Sequence, residues 1–280
     1  MAEWNVVDRA ETEEAVIEVV EYSSLIGSSD ARSAEQLFFV QQAGMTLKMV
    51  RIKLNDSKVR IEPGALYYMS GDLEMKASTG GGFLKGLTRK ALSGESLLVS
   101  EIHGTGEIYL EPTFGHFMLT RVNADEYIVD KSLFYAGTAG LDISAVAQKN
   151  ISSAVFGGEG LFQTKIAGDG IAVIYSPVPR SEIEEIEIND SKLSVDGNFA
   201  LMRTAGVTFR AEKSSKSWVA TSVSGEGLLQ TFSGSGKVWV APTQDVYERL
   251  ATPAGLQSLA GPPGAMSNMT GEEQSGKKKS

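Results

Sequence analysis

The chain has 280 residues, 42% of them hydrophobic, with a formal net charge of −9 and a sequence pI near 4.9. That length and apolar content suffice for one large core or two ordinary ones, while the acidic balance repels phosphate backbones and argues against nucleic acid as a partner. The absence of cysteine excludes disulfides, thiolate nucleophiles, Fe–S clusters and cysteine-ligated zinc, and only two histidines, His103 and His116, stand in strand-like text, so no metal site and no cofactor are expected.

The N-terminus, "MAEWNVVDRAETEEAVIEVVEYSS", is acidic. It lacks the charged n-region and apolar h-region of a signal peptide and the Arg-rich character of a transit peptide. No apolar run approaches the ~20 residues of a membrane helix. Residues 1–35 read as an acidic N-terminal extension of a soluble, cytoplasmic protein.

From about residue 36 the chain repeats itself. "VRIEPGALYYMSGDLEMK" (59–76), "YIVDKSLFYAGTAGLDIS" (127–144) and "LSVDGNFALMRTAGVTFR" (193–210) share an apolar–acid pair, a small-polar turn, an apolar-aromatic run and a glycine before another strand. Each block is followed by Gly-Glu and then by strand text around a Gly-x-Gly: "GTGEIYLEP" (104–112), "GDGIAVIYSP" (168–177) and "GSGKVWVAP" (234–242). The dinucleotide fingerprint G-x-G-x-x-G opens a helix after a strand. Here Tyr109, Val173 and Trp239 replace its third glycine, and strand text follows. Glycine reaches positive φ cheaply in a turn, so each Gly-x-Gly is expected at a β-hairpin tip.

The expectation is an all-β domain over 36–245, built of three tandem units at about 36–115, 116–180 and 181–245. Short strands bounded by glycine turns suit a sandwich or a barrel. The units are expected to pack around a pseudo-threefold axis, with an open row as the alternative.

Between the two shared blocks of the first unit stands "GGGFLKGLTRKALSG" (80–94). Phe83, Leu84 and Leu87 fall near helical spacing, and Lys85, Arg89 and Lys90 occupy the other face. Such a basic amphipathic segment docks on anionic lipid or in a partner groove; the plainer reading is a lid packed on its own sheet. Glu62, Asp130 and Asp196 recur at one position, and Glu95, Glu159 and Glu226 at another. A general acid and base need carboxylates in different environments, so these acids read as turn and strand-end hydrogen-bonding groups. No catalytic set is proposed.

"SEIEEIEIND" (181–190) reads as a strand whose Glu182, Glu184 and Glu187 face solvent and guard an edge, with Glu185 breaking the pattern. Trp218, Phe232 and Trp239 read as core filling rather than as a stacking platform for bases. Residues 246–280 read as a short helix and a disordered tail ending in lysines.

The motifs E-P-G-A-x-x-Y-M, G-G-G-F-L-K-G-L-x-R and G-E-S-L, in that order, resemble the altered-inheritance-of-mitochondria protein twenty-four family over roughly residues 36–245. The resemblance implies three β-repeats similar to the tryptophan RNA-binding attenuator protein (a TRAP-like fold), homotrimers among bacterial members, no established catalytic activity, and a mitochondrial location as the alternative to the cytoplasm. It carries over no site residues. The function expected is a non-enzymatic scaffold or adaptor docking on protein or membrane partners. The runners-up are an RNA-binding ring, by analogy of fold, and a small-ligand binder.

Overall fold

Strands dominate the computed structural model, which describes residues 4–79, 98–130, 132–147, 162–196, 199–213, 228–253 and 259. The all-β expectation holds: thirteen antiparallel strands are present among the described residues, with two short α-helices and one 3-10 turn. The chain divides into two units, Met1–Arg180 and Ser181–Ser280.

The first unit opens with β1 (Trp4–Glu11) and β2 (Ala15–Tyr22), which pair antiparallel. The presumed extension is therefore part of the sheet. β2 continues the pairing onto β3 (Lys48–Ile61), from Ala15↔Leu54 to Glu21↔Lys48. Between them lies α1 (Ala31–Gln42), capped by Asp30, whose carboxylate accepts the Ser33 amide at 3.0 Å. The expected boundary at residue 36 thus falls inside a helix.

The unit continues through β4 (Leu66–Thr79), β5 (Leu98–Leu110), β6 (His116–Asp130), β7 (Phe134–Thr138), β8 (Leu141–Ala147) and β9 (Phe162–Ser176). β5 pairs with β3 and β4; β9 pairs with β6, β7 and β8; β7 also pairs with β3. Period-two alternation buries one face of each strand. Ile17 and Val19 of β2, Val50, Ile52 and Leu54 of β3, Ile108 and Leu110 of β5, and Ile171 and Val173 of β9 form the core cluster. Each fully buried Ile stabilises by roughly 1.5–3 kcal/mol.

The second unit contains β10 (Glu184–Asp196), β11 (Ala200–Thr204), β12 (Val207–Lys213), β13 (Leu228–Val240) and α2 (Gln244–Leu250). β13 pairs with β10, β11 and β12. Phe209 and Phe232 are buried and pack with ring centroids 5.3 Å apart. Trp239 is also buried, so the core reading of Phe232 and Trp239 was correct; Trp218 lies outside the described residues.

The hairpin-tip expectation fails. All three Gly-x-Gly stretches lie inside unbroken strands, β5, β9 and β13. Opposite each one the partner strand carries a bulge, between Leu54 and Ser57, Asn123 and Glu126, and Ile188 and Ser191. One residue in each bulge is left-handed: Asp56 at φ +46°, Ala124 at +57° and Asp190 at +45°.

Across the other edge the neighbouring backbone closes in. A Cβ on Gly104 would stand 2.0 Å from the Asp72 carbonyl oxygen, and one on Gly168 2.4 Å from that of Gly140. Glycine is needed here for a bend and a close approach, not for a turn. At their far ends the paired strands stay in register, as Thr79↔Leu98, Ala147↔Phe162 and Lys213↔Leu228.

Candidate functional site

On the face of the first unit opposite its core, one row crosses five strands. The registers Arg9↔Glu18, Glu18↔Arg51, Arg51↔Tyr109 and Tyr68↔Tyr109 place these side chains side by side across β1, β2, β3, β5 and β4. Alternation makes this inevitable: when Ile17, Ile52 and Ile108 point inward, their sequence neighbours point out.

Glu18 is the ionic centre. Only 5% exposed, it accepts from Arg51 Nε at 2.8 Å and lies 2.7 Å from Arg51 Nη2 and 3.4 Å from Lys53 Nζ. Arg9 Nε stands 3.5 Å away. Burial disfavours the carboxylate, but Arg51 and Lys53 outweigh it and hold Glu18 below the usual glutamate range.

Aromatic rings surround this centre. The Arg51 guanidinium lies 5.8 Å from the Trp4 ring centroid. Trp4 meets Tyr109 edge-on at 5.3 Å and Tyr22 at 5.6 Å. Val20 and Met49 close the cluster beneath them. Trp4 Nε1 is enclosed with no hydrogen-bond partner among the described residues. Tyr68 stacks on Tyr109 with centroids 4.3 Å apart and planes 16° from parallel, and Tyr67 leans on Tyr68 at 5.7 Å.

Tyr67 and Tyr68 remain 54% and 42% exposed. Burial, reinforced by the hydrogen bond to Glu107 Oε2 at 2.6 Å, pushes Tyr109 up to about 12. Burial also raises Tyr68. These phenols stay neutral at physiological pH, so the surface offers flat rings beside a buried carboxylate shared by Arg51, Lys53 and Arg9.

A second feature is an open polar cleft of about 460 Å³ beside the first bulge, lined by Asp56, Ser57, Lys58, Asp72, Glu74 and His103. His103 Nε2 lies 3.0 Å from Glu101 Oε2, and Lys58 and Arg60 pair with the same carboxylate at 3.6 and 3.1 Å. Among the described residues no group of three or more His, Cys, Asp or Glu is arranged to hold a metal ion.

Phe83, Leu84, Lys85, Leu87, Arg89 and Lys90 all lie outside the described residues, as do Glu95, Glu159 and Glu226. Of the other recurring acids, Asp130 accepts both the amide and the hydroxyl of Ser132, at 3.1 and 3.0 Å, the turn role expected of it. The run 181–190 is strand only from Glu184 onward, because Arg180–Glu182 form the 3-10 turn. There Glu182 accepts from the hydroxyls of Thr243 and Tyr247 at 2.5 and 3.0 Å. Glu185 breaks the alternation because it sits opposite Trp239, whose indole N–H it accepts at 3.0 Å, and it pairs with Lys237 at 2.6 Å.

The aromatic surface itself escaped the sequence reading. Its signal is the strand text "WNVVDRAE" and "AVIEVVEY", whose acidic residues mask the strand pattern.

A family model described as mitochondrial biogenesis AIM24 matches residues 40–243. A protein from Streptococcus pyogenes with a known crystal structure is similar in fold, with a TM-score of 0.54 at 20% identity, covering 70% of this chain and 88% of its own. No curated protein matches the chain. Among the described residues no helix is long and apolar enough to cross a membrane.

Proposed function

The chain belongs to the mitochondrial biogenesis AIM24 family, and from that premise we propose that it is a non-enzymatic scaffold or adaptor that docks on protein or membrane partners. The observation that carries this reading is the outer face of the first unit, where Tyr67 and Tyr68 stand exposed on a rigid bed of Tyr109, Trp4 and Arg51. Aromatic and arginine side chains held in fixed rotamers are what protein interfaces use as anchors, because little side-chain entropy is lost on binding. The neutral tyrosines and the charge-compensated Glu18 support docking rather than chemistry.

The proposal includes three tandem β-units around a pseudo-threefold axis, assembly of the chain with itself, and a second contact through Phe83, Leu84 and Leu87 flanked by Lys85, Arg89 and Lys90. The same basic amphipathic character suits an anionic membrane surface. The family's description ties it to mitochondrial biogenesis; for this chain we propose peripheral action at a membrane surface, in the cytoplasm or in mitochondria.

Co-sedimentation with vesicles containing anionic phospholipid tests the membrane arm. Replacing Phe83, Leu84 and Leu87 together by Ser should abolish binding and leave the melting temperature unchanged. Binding that survives the triple replacement overturns that site.

A further inference from the structure

We propose that α1 and the loops on either side of it form a hydrophobic wedge that enters the hydrocarbon edge of a lipid bilayer, independently of headgroup charge. This rests on the membrane arm of the docking reading and supplies it with an apolar anchor, separate from the basic segment at 83–90.

The chain leaves the sheet after Tyr22 and rejoins it at Lys48. Glu21 pairs with Lys48, and the Tyr22 amide donates to the Leu47 carbonyl at 3.0 Å. Within this excursion α1 is capped by Asp30, and Gln41 Nε2 donates to the Leu25 carbonyl at 3.3 Å, tying the helix to its leading loop. Yet no residue of α1 is buried. Ile26 is 87% exposed, Phe38 55%, Phe39 59% and Met45 45%. Phe38 and Phe39 meet edge to face with centroids 5.5 Å apart. Large apolar side chains gathered in water on an ordered helix mark an interaction site.

The side chains select what covers them. Leu37, Phe38, Phe39 and Val40 fill one helical turn, at about 3.6 residues per turn. A protein groove takes one face of a helix, through residues three and four apart. Here apolar groups point to every side, which suits a medium that surrounds the helix end. Charge agrees. Asp30, Arg32 and Glu35 are the charged residues between Tyr22 and Lys48, and from Gln36 to Leu47 there is none. A stretch without charge complements hydrocarbon and gains nothing from anionic headgroups.

The junction with the sheet has the matching chemistry. Trp4 lies opposite Tyr22 in the β1–β2 register, with Tyr109 and then Tyr68 beyond it. Trp and Tyr combine an apolar body with a polar edge and favour the headgroup level. Lys48 stands at the same junction, its ammonium donating to the Thr46 carbonyl at 3.2 Å, on a stem long enough to reach a phosphate. From the excursion to the sheet the order is Ile, Phe and Met, then Trp, Tyr and Lys, the gradient of an interfacial anchor. Ile26, Phe38 and Phe39 precede residue 40, so they lie outside the part of the chain that the family match covers.

Full-length protein is sedimented with vesicles of pure phosphatidylcholine at low and high salt. The expected result is binding that salt leaves unchanged, a loss of ~tenfold or more when Phe38→Ser and Phe39→Ser are combined, and binding retained with leucine at both positions. The melting temperature should not move, since both side chains are more than half exposed. The chain has no cysteine, so a polarity-sensitive dye on Gln42→Cys gives a second readout: its emission should shift to the blue with the vesicles, and that of a dye on Glu74→Cys should not. No binding to phosphatidylcholine, binding kept by the double serine variant, or binding abolished by salt overturns the proposal. So does a sedimentation coefficient changed by the double serine replacement without vesicles, which assigns the face to a contact between copies. Binding to anionic vesicles alone, lost on replacing Phe83, Leu84 and Leu87, overturns the wedge and keeps the docking reading; binding to neither vesicle removes that reading's membrane arm as well.

Discussion

Asp56 holds a left-handed backbone at φ +46° while its amide donates to Thr105 Oγ1 at 2.9 Å. The middle residue of the first Gly-x-Gly thus supplies the hydrogen bond that the bulge takes away from the ladder. Ser235 does the same for the Asp190 amide at 3.0 Å. Thr105→Val keeps the shape and removes the acceptor. It should cost about 1 kcal/mol in urea denaturation and speed hydrogen exchange at the Asp56 amide, while Thr105→Ser should leave both unchanged. Unaltered exchange in the valine variant would show that the hydroxyl does not hold the bulge.

The flanking glycines should tolerate nothing larger. In Gly104→Ala the added Cβ would fall 2.0 Å from the Asp72 carbonyl oxygen at a backbone φ of +123°, so strand displacement and strain combine. A loss of about 3 kcal/mol or more is expected, read as a drop in the thermal midpoint or as failure to fold. Gly27→Ala, where nothing lies within 4 Å, is the control and should shift stability by less than about 0.5 kcal/mol.

The glycines at 104 and 106, 168 and 170, and 234 and 236 were visible at once, and so was their need for unusual backbone. Their purpose was not. A glycine that makes a turn and a glycine that lets another strand approach give the same local text, and only the pairing partner separates them.

Glu18 should make stability sensitive to acid. Its pKa is lowered in the folded state, so the carboxylate's contribution is fully present above the ordinary glutamate value of about 4.3 and is lost as pH falls through the depressed folded value. Glu18→Gln should lose roughly 1–3 kcal/mol at neutral pH, since it removes charge-assisted bonds to Arg51. The gap between the two proteins should close in urea titrations run stepwise to acid pH. A gap independent of pH would mean that packing, not charge, sets the role of Glu18.

The stack of Tyr68 on Tyr109 should contribute to stability. A double-mutant cycle with alanine at the two positions should give a coupling of about 0.5–1.5 kcal/mol. Tyr68→Phe should keep the stack, and with it most of the stability. Tyr68→Ala should lose the stack and lower the urea midpoint, and an unchanged midpoint would show that the stack contributes nothing to stability.

β-Branched and aromatic runs punctuated by glycine, over most of the length, are enough to make this chain a mainly β-protein. The sequence by itself also determined where the text recurs, and that Phe232 and Trp239 are core residues. It did not show that Trp4 and Tyr22 belong with Tyr109, for those positions are distant in the chain and meet only once β1 and β2 join β3. Nor did it show which strand edges are filled. Alternation tells each side chain its face, but the identity of a strand's neighbour is a long-range hydrogen-bonding choice, and the tertiary structure alone decided it.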